Sequence, residues 1–380
     1  MRSRITRWPG AILLSIGLIA SVASPAEAVV SDRPARGVTF NGPVRVVLST
    51  GSVTYIGGDF TAARTPAGTR VPRARLAAVD TRTGQLLPFN PRVNGPVWAL
   101  ARSGTDLYVG GVFSRVGGKA RKNIAEVRAN ASVTRWQPRM NSRVRALDAV
   151  GGTLYVGGQF TKVNRTPRAR LASFRTTTGE LTGWYPRVNA PVADLVATRS
   201  RLYVAGLFRK VNGNASARFL TAFSNGNLVR GWNPRVDYAV NGLAVHRDSV
   251  YAAAYGRGGH LRAVRKDNAN NRWTVTADGN VKSVTVIGDV VYFGGHMTQI
   301  CDSPRVGAQG VCRDGGKRRS KLAAVRVRNG ALLRFSPQAN DSAFEGVQDV
   351  DSASGVLSVG GVFTSFKGGT IVRPRFARFK

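Results

Sequence analysis

Two aspartates and one tryptophan are the residues of this sequence that best fit a role in a reaction. Asp194 and Asp349 fall at the same place in two copies of a repeated apolar segment, so both could face one central channel. Hydrolysis of a glycosidic bond needs two facing carboxylates, and Trp98 lies in a corresponding segment without an aromatic equivalent. A glycan hydrolase or lyase with its site at the channel mouth is therefore one hypothesis. The alternative is that these aspartates pair with channel arginines such as Arg45 or Arg145.

Other catalytic and metal-binding signals are absent from the sequence. The three histidines, His246, His260 and His296, do not lie at ligand spacing or in a recognisable nucleophile arrangement. No acidic cluster has calcium-loop spacing, and no glycine-rich phosphate loop precedes a helix. We therefore assign no catalytic residue, no metal site and no cofactor. Cys301 and Cys312 are the only cysteines, and in an exported chain they predict one disulfide that closes a local loop.

Positive charge is the strongest compositional signal. Lysines and arginines number 56 against 20 aspartates and glutamates, which gives a formal net charge of +36. A chain this basic repels itself unless anions lie near it. The composition therefore points to an anionic partner, although GC-rich codon usage would also raise the arginine content.

Basic residues recur at two fixed places of the repeat. The first set follows a proline in "PRV" or "PRM" motifs: Arg92, Arg139, Arg187 and Arg235. The second set stands three residues before an apolar strand: Arg73, Arg121, Arg168, Arg319 and Arg373, with Lys317 and Arg318 beside one of them. We predict that both sets lie on one face and bind an anion there. The alternative is that the repeated arginines bind backbone carbonyls in the loops.

An internal repeat supplies the elements that would position these residues. The segment "LYVGGVF" at residues 107–113 recurs as "LYVGGQF" at residues 154–160. Weaker copies begin at Tyr55, Tyr203, Tyr251, Tyr292 and Ser358. The spacing is about 48 residues, the size of a four-stranded propeller blade. The glycine pair fits a place where backbones crowd, and the recurring Trp136, Trp184, Trp232 and Trp273 are expected to pack between blades.

The two chain ends predict how the repeat closes. The seventh unit has three predicted strands and then ends at Lys380, whereas residues 38–44 resemble residues 87–97, with Phe40 and Asn41 matched to Phe89 and Asn90. Residues 37–41 should therefore complete the last blade, which removes exposed strand edges. The predicted fold is an all-β, seven-bladed β-propeller of four-stranded blades.

The blocks "LYVGGxF", "RxxLAxx", "TGxLxxWxP" and "VxALA" resemble the delta-60 repeat β-propellers, which occur in many exported bacterial proteins. The resemblance covers residues 37–380. It implies an extracytoplasmic propeller and does not imply a catalytic residue set, because fold does not fix function.

The N-terminus resembles a secretory signal peptide. Arg2, Arg4 and Arg7 precede an apolar run at residues 11–23, and Ala26 and Ala28 suit cleavage after Ala28. We predict a signal peptide at residues 1–28, a short segment at residues 29–36 and one propeller domain at residues 37–380. The expected product is a monomer without a transmembrane segment, secreted or associated with the cell envelope.

These observations rank three functions. The first is a non-catalytic platform that binds an anionic extracellular or envelope polymer: a cell-wall glycopolymer, an acidic polysaccharide, lipid head groups or extracellular nucleic acid. The second is a protein-interaction scaffold that uses the loop around Cys301 and Cys312. The third is the glycan hydrolase or lyase described above.

Overall fold

The computed structural model describes residues 29–340 and 345–380, so the predicted signal peptide lies outside the described residues. Strands are numbered β1 to β34 in chain order, and in these ranges the helices are two 3-10 turns, Ala308–Gly310 and Lys367–Gly369. No helix in the same ranges has the length and hydropathy of a membrane span. The described chain is therefore an all-β structure.

An antiparallel unit of three strands recurs seven times in the described residues. The first strands are β2 (Val44–Thr50), β7 (Val97–Ser103), β12 (Val144–Val150), β17 (Val192–Ala197), β21 (Val240–His246), β25 (Val281–Ile287) and β30 (Val347–Ala353). The second strands are β3 (Val53–Gly58), β8 (Asp106–Gly111), β13 (Thr153–Gly158), β18 (Leu202–Gly206), β22 (Ser249–Ala254), β26 (Val290–Gly295) and β31 (Val356–Gly361). The third strands are β6 (Leu76–Asp80), β11 (Ile124–Val127), β16 (Leu171–Arg175), β19 (Leu220–Ser224), β23 (Gly259–Arg265), β29 (Leu322–Arg326) and β34 (Phe376–Phe379).

The fourth strand is regular in fewer units than the sequence predicts. It forms β20 (Asn227–Leu228) in the fourth unit and β24 (Asn271–Ala277) in the fifth. Single bridges replace it elsewhere: Val79–Leu86, Val127–Val133, Phe174–Leu181 and Val325–Leu332. In the first unit Pro88 and Pro91 follow this bridge, and because proline has no N–H to donate, the ladder cannot extend.

Short hairpins lie between the second and third strands of most units. They are β4 (Ala62–Arg64) with β5 (Arg70–Pro72), β9 (Arg115–Val116) with β10 (Lys119–Ala120), β14 (Lys162–Val163) with β15 (Thr166–Pro167), β27 (Gln299–Cys301) with β28 (Gly316–Arg318), and β32 (Ser365–Phe366) with β33 (Ile371–Val372). The fourth hairpin also joins the edge of β24, which extends the sheet of the fifth unit to six strands. The predicted disulfide between Cys301 and Cys312 is confirmed, with Cα atoms 5.2 Å apart.

The glycine pairs lie where neighbouring units crowd, as predicted. A Cβ atom on Gly57 would stand 2.5 Å from Val97 Cγ1 of the next unit, and one on Gly110 would meet Val144 at the same distance. Any side chain at these positions would push two sheets apart. Gly360 of the last unit has the same relation to Val44 of the first.

The recurring tryptophans pack between units, as predicted. The Trp136 ring is edge-on to Tyr108 of its own unit and Phe174 of the next, with centroids 5.4 and 5.1 Å apart. Its indole N–H donates to the Gly179 carbonyl at 2.8 Å. Trp184 repeats this arrangement one unit later. The indole N–H and the ring contacts of these tryptophans are thus used to join neighbouring units.

The first strands contact one another in chain order. The contacting pairs are β2–β7, β7–β12, β12–β17, β17–β21, β21–β25, β25–β30 and β30–β2. Between the last pair, the Val47 N–H donates to Asp349 Oδ2 at 2.8 Å and the Ser49 N–H to Asp351 Oδ2 at 2.6 Å. The two ends of the described chain therefore meet.

The segment before β1 (Thr39–Phe40) lies beside the last strand. The Ser31 N–H donates to the Lys380 carbonyl at 2.7 Å, and the Ala35 N–H donates to the Arg378 carbonyl at 2.8 Å. The leading segment therefore pairs with the last strand through residues 31–35 and not through the predicted residues 37–41, because β1 pairs with β4 of the first hairpin. The Phe40 ring packs on Phe60 and Phe376.

The predicted alignment of Phe40 and Asn41 with Phe89 and Asn90 is wrong by four residues. The Oδ1 atom of Asn41 accepts two backbone N–H groups of the first hairpin at 2.9 Å. Asn94 accepts the corresponding pair one unit later. Asn41 is therefore the equivalent of Asn94, and the shared "NGPV" that begins at each marks the true register.

Candidate anion-binding face and axial channel

The linker is the segment that leads into a first strand, and in six units an Asn or Asp of the linker fixes the end of the unit where the basic residues lie. Asn94 Oδ1 accepts N–H groups of Ser114 and Arg115 at 3.0 and 2.9 Å. The same contact is made by Asn41, Asn141, Asn189 and Asn340, and by Asp278 in their place. In these six units the linker before the first strand therefore lies beside the segment that follows the second strand. Sequence reasoning missed this role, although an Asn or Asp precedes most first strands by two or three residues.

The linker arginines are exposed and carry no side-chain partner. Arg92, Arg139, Arg187 and Arg235 are all exposed. Their backbones are fixed by the fold: the Arg139 N–H donates to Asn164 Oδ1 at 2.9 Å, and Gly117 donates to the Arg92 carbonyl at 3.1 Å. In the described part of the chain their guanidinium groups make no hydrogen bond or ion pair. Each of these arginines therefore has a backbone held by hydrogen bonds and a guanidinium group that is available to a ligand.

The hairpin-end arginines have the opposite environment. Arg73 donates to the preceding carbonyl at 2.8 Å and to the Leu87 carbonyl at 2.9 Å. Arg121, Arg168 and Arg319 bind the carbonyls of Thr134, Thr182 and Leu333 in the same manner. Arg121 and Arg168 are 5 and 8 % exposed, and burial lowers the pKa of Arg73, Arg121 and Arg319. These contacts match the alternative in which the repeated arginines hold loop carbonyls.

The Lys317-Arg318-Arg319 run divides between the two environments. Lys317 and Arg318 are exposed on β28, whereas Arg319 is partly buried and bound to carbonyls. The disulfide between Cys301 and Cys312 lies at the other end of the same hairpin. Lys317 and Arg318 therefore remain candidates for an anionic partner.

All seven first strands line one axial cavity of about 120 Å³. Each strand carries a register shift at its second residue, which is a β-bulge. Bulges re-aim side chains at the rims of closed sheets. The extra residues are Arg45, Trp98, Arg145, Ala193, Asn241, Lys282 and Gln348, and all of them line the cavity. Because the linkers lead directly into these strands, this mouth lies at the linker end.

Trp98 is covered by guanidinium groups. Arg45, Arg143 and Arg145 lie 4.3, 4.6 and 5.4 Å from its ring centroid. Such contacts are favourable cation–π interactions, and they leave little of the ring open to a sugar. Arg45 also pairs with Asp59 at 2.5 Å. The channel mouth is thus a cationic cluster around one indole.

Asp194 and Asp349 line the same cavity, as predicted. Neither forms an ion pair with Arg45 or Arg145 among the described residues, so the predicted pairing with these arginines is wrong. Asp194 instead accepts the N–H groups of Leu195 and Leu243 at 2.8 and 2.7 Å. Its carboxylate therefore joins two neighbouring first strands.

Asp349 is bound in a similar way, to Val47 of the first unit and to the Ser283 hydroxyl at 2.6 Å. Burial raises the pKa of Asp194 to about 7, aided by the charge of Asp349, and raises that of Asp349 to about 6. Asp148 and Asp351 make equivalent contacts and also have raised pKa values. These carboxylates therefore link neighbouring first strands by hydrogen bonds. No grouping of His, Cys, Asp and Glu in the described residues could hold a metal.

No protein-family model matches the chain, and no curated protein matches it in sequence. Solved structures are similar in fold. The WD40 β-propeller domain of Doa1 is 14% identical, with a TM-score of 0.58 over 91% of this chain and 96% of that one. The RRP9 WD40 repeats are 13% identical, with a TM-score of 0.58 over 91% and 98%. The computationally designed Ika8 protein is 11% identical, with a TM-score of 0.52 over 90% and 98%. The chain therefore has a β-propeller fold.

Proposed function

We propose that this chain is an exported, non-catalytic β-propeller of the delta-60 repeat type whose linker face binds an anionic polymer of the cell envelope or its surroundings. The N-terminal sequence supports export, and the repeat blocks support the family resemblance. Glycan hydrolysis has less support, because the oxygens of Asp194 and Asp349 are occupied by N–H groups and a hydroxyl.

We propose further that the seven units form a closed ring. The contact of β30 with β2 supports this arrangement, as do the Asp349–Val47 hydrogen bond and the close approach of Gly360 to Val44. A cavity lined by all seven first strands is also what a ring requires. In such a ring the four linker arginines lie along part of the rim around the channel mouth.

The observation that carries the binding proposal is the state of the four linker arginines. They recur at one position of successive units, they are exposed, and their guanidinium groups have no partner in the described residues. Folding therefore leaves these donors unused. A polymer with regularly spaced oxyanions can contact several of them at once, and each contact releases counterions.

A salt titration of binding tests this proposal. The purified protein is titrated with fluorescent poly(glycerol phosphate), and in parallel with polygalacturonate, between about 50 and 200 mM NaCl. The test variant replaces the four linker arginines together: Arg92→Gln, Arg139→Gln, Arg187→Gln and Arg235→Gln. We expect affinity to fall steeply with salt, and the slope of log affinity against log salt to become shallower by about 3 in the variant.

A matched variant removes the same charge from the other end of the units. Exposed arginines in the turns there are replaced: Arg82→Gln, Arg128→Gln, Arg199→Gln and Arg328→Gln. If binding is confined to the linker face, this variant keeps most of the salt slope. Equal losses in both variants would show a diffuse response to net charge, and a flat titration with both polymers would refute the proposal.

A protein-interaction scaffold remains a second candidate, favoured by one observation. The disulfide between Cys301 and Cys312 closes a loop in the hairpin of the sixth unit, and this loop exposes Val311, which is 59 % accessible. The loop gives the sixth unit a surface that the other units lack. Capture of partners by the whole chain, but not by a variant lacking residues 302–315, would support this candidate over polymer binding.

A further inference from the structure

A groove of about 550 Å³ lies where the two ends of the described chain meet. Three segments form it: the stretch before β1, the hairpin β4–β5, and the stretch that leads into β34. Five arginines line it: Arg36, Arg64, Arg70, Arg373 and Arg375. None of the described residues that line the groove is an aspartate or a glutamate. The described lining of the groove is therefore cationic and contains no carboxylate.

Several of these guanidinium groups are held in place by the backbone. Arg36 donates to the Pro66 carbonyl at 3.0 Å, and Arg64 donates to the Gly68 carbonyl at 2.9 Å. Arg373 donates to Ala35 and Val372, and Arg375 to Val362. A guanidinium carries five N–H donors, so each keeps donors free after these contacts. The arginines are thus oriented in advance, which lowers the entropic cost of binding.

The electrostatic environment of Arg373 favours a bound anion in the groove. Burial and the positive charge of Arg36 lower the pKa of Arg373. Burial also lowers the pKa of Arg375, and the negative charge of Glu345, which lies outside the groove lining, partly offsets this. Like charges held together in a partly buried site destabilise one another. An anion placed among them removes that cost and gains charge-assisted hydrogen bonds.

We propose that this groove binds a compact anion that carries several oxyanion groups, either phosphates or carboxylates. The volume fits a small polyvalent molecule, and the forked donors of arginine match both oxyanions. Because Arg36 precedes β1 and Arg375 precedes β34, the bound anion ties the leading segment of the chain to its last strand. The site shares no residue with the linker arginines, so it stands or falls independently of polymer binding.

Calorimetric titration of the purified protein with inorganic tripolyphosphate, and separately with citrate, tests the proposal. We expect one saturable site for at least one of the two anions, and a rise in the unfolding temperature at saturation. The variant Arg64→Gln with Arg70→Gln removes two exposed donors on one hairpin. Loss of about tenfold in affinity per arginine is expected, or roughly 100-fold for the pair.

The matched control is Arg115→Gln with Lys119→Gln on the next hairpin, which removes the same charge. It should bind the anion as the unmodified protein does. Absence of a saturable site for both anions overturns the proposal. So does equal affinity of the two double variants, because the anion then lies elsewhere on the basic surface. The polymer titration with the linker variant is unaffected by either result.

Discussion

The linker arginines and the hairpin-end arginines are alike in sequence and opposite in structure. The first set recurs in four units and the second in five, and both lie at the same end of the sheets. Arg139 is exposed without a side-chain partner, whereas Arg121, one hairpin away, is 5 % exposed and donates to two carbonyls. Recurrence alone therefore does not separate arginines that build the fold from arginines that are free to bind.

The difference follows from where a carbonyl lies. Arg73, Arg168 and Arg319 each reach a carbonyl 14 residues further along the chain, in the segment after the third strand. That segment has few ladder partners of its own, so the guanidinium satisfies a carbonyl that would otherwise lack a donor. The linker arginines are exposed, and among the described residues no carbonyl accepts a hydrogen bond from their guanidinium groups.

Arg378 makes more hydrogen bonds to carbonyls than the arginines discussed above. Its replacement should therefore cause the largest loss of unfolding free energy. Arg378 is 2 % exposed and donates to the carbonyls of Arg36, Thr81, Arg82 and Thr83. We expect Arg378→Met to lower the free energy of unfolding by about 3–5 kcal/mol, because four carbonyls lose a charged donor that is itself buried. Urea denaturation measures this, with the exposed Arg328→Met as the control. A loss below about 1 kcal/mol would contradict the assigned role.

The contrast between the two repeated sets predicts the next largest effect. Arg121→Met should lower the free energy of unfolding by about 2–3 kcal/mol, because two carbonyls lose a charged donor. Arg139→Met should change it by less than about 0.5 kcal/mol. The same denaturation series measures both variants. Similar losses of unfolding free energy in the two variants would contradict the distinction between arginines that stabilise the fold and arginines that are free to bind.

The channel aspartates also bind backbone groups of neighbouring strands. They predict a smaller, pH-dependent change in the free energy of unfolding. Burial raises the pKa of Asp194 from 3.8 to about 7, so the folded state binds more protons than the unfolded state between these values. Stability should therefore fall as the pH rises from about 4 through 7. The contribution of Asp194 is of the order of 1–2 kcal/mol after solvent screening in the channel.

Asp194→Asn tests this prediction, because an amide does not titrate. Unfolding followed at several pH values should show a shallower decline for the variant than for the unmodified protein. A control at the exposed Asp302→Asn should leave the decline unchanged. An identical slope in Asp194→Asn would show that other groups carry the pH dependence.

The repeat made most of the fold predictable from sequence. The motif beginning at Tyr108 and Tyr155 marks the second strands, and its glycines lie against valines of the next unit. The tryptophans recur because each fills the same gap between units. The fourth strand and the register of Asn41 were less predictable, because they depend on which backbone groups find partners and not on the apolar pattern.

The candidate sites were less predictable than the fold. Sequence spacing placed Asp194 and Asp349 at one channel, which is correct, but it could not show that N–H groups of the next strand would occupy them. It also gave no sign of Arg143 beside Trp98, or of the groove between the chain ends. These features join residues from different units, whereas a local pattern reports only on its own segment.

The bulge in each first strand has a consequence for how such a molecule can diversify. It sets one side chain per strand at the channel mouth without making the ladder depend on its identity, and the seven positions hold Arg, Trp, Arg, Ala, Asn, Lys and Gln. The residue at each of these seven positions can therefore be changed while the strands keep their pairing. A library randomised at these positions alone would vary the shape and charge of the channel mouth without changing the strand pairing.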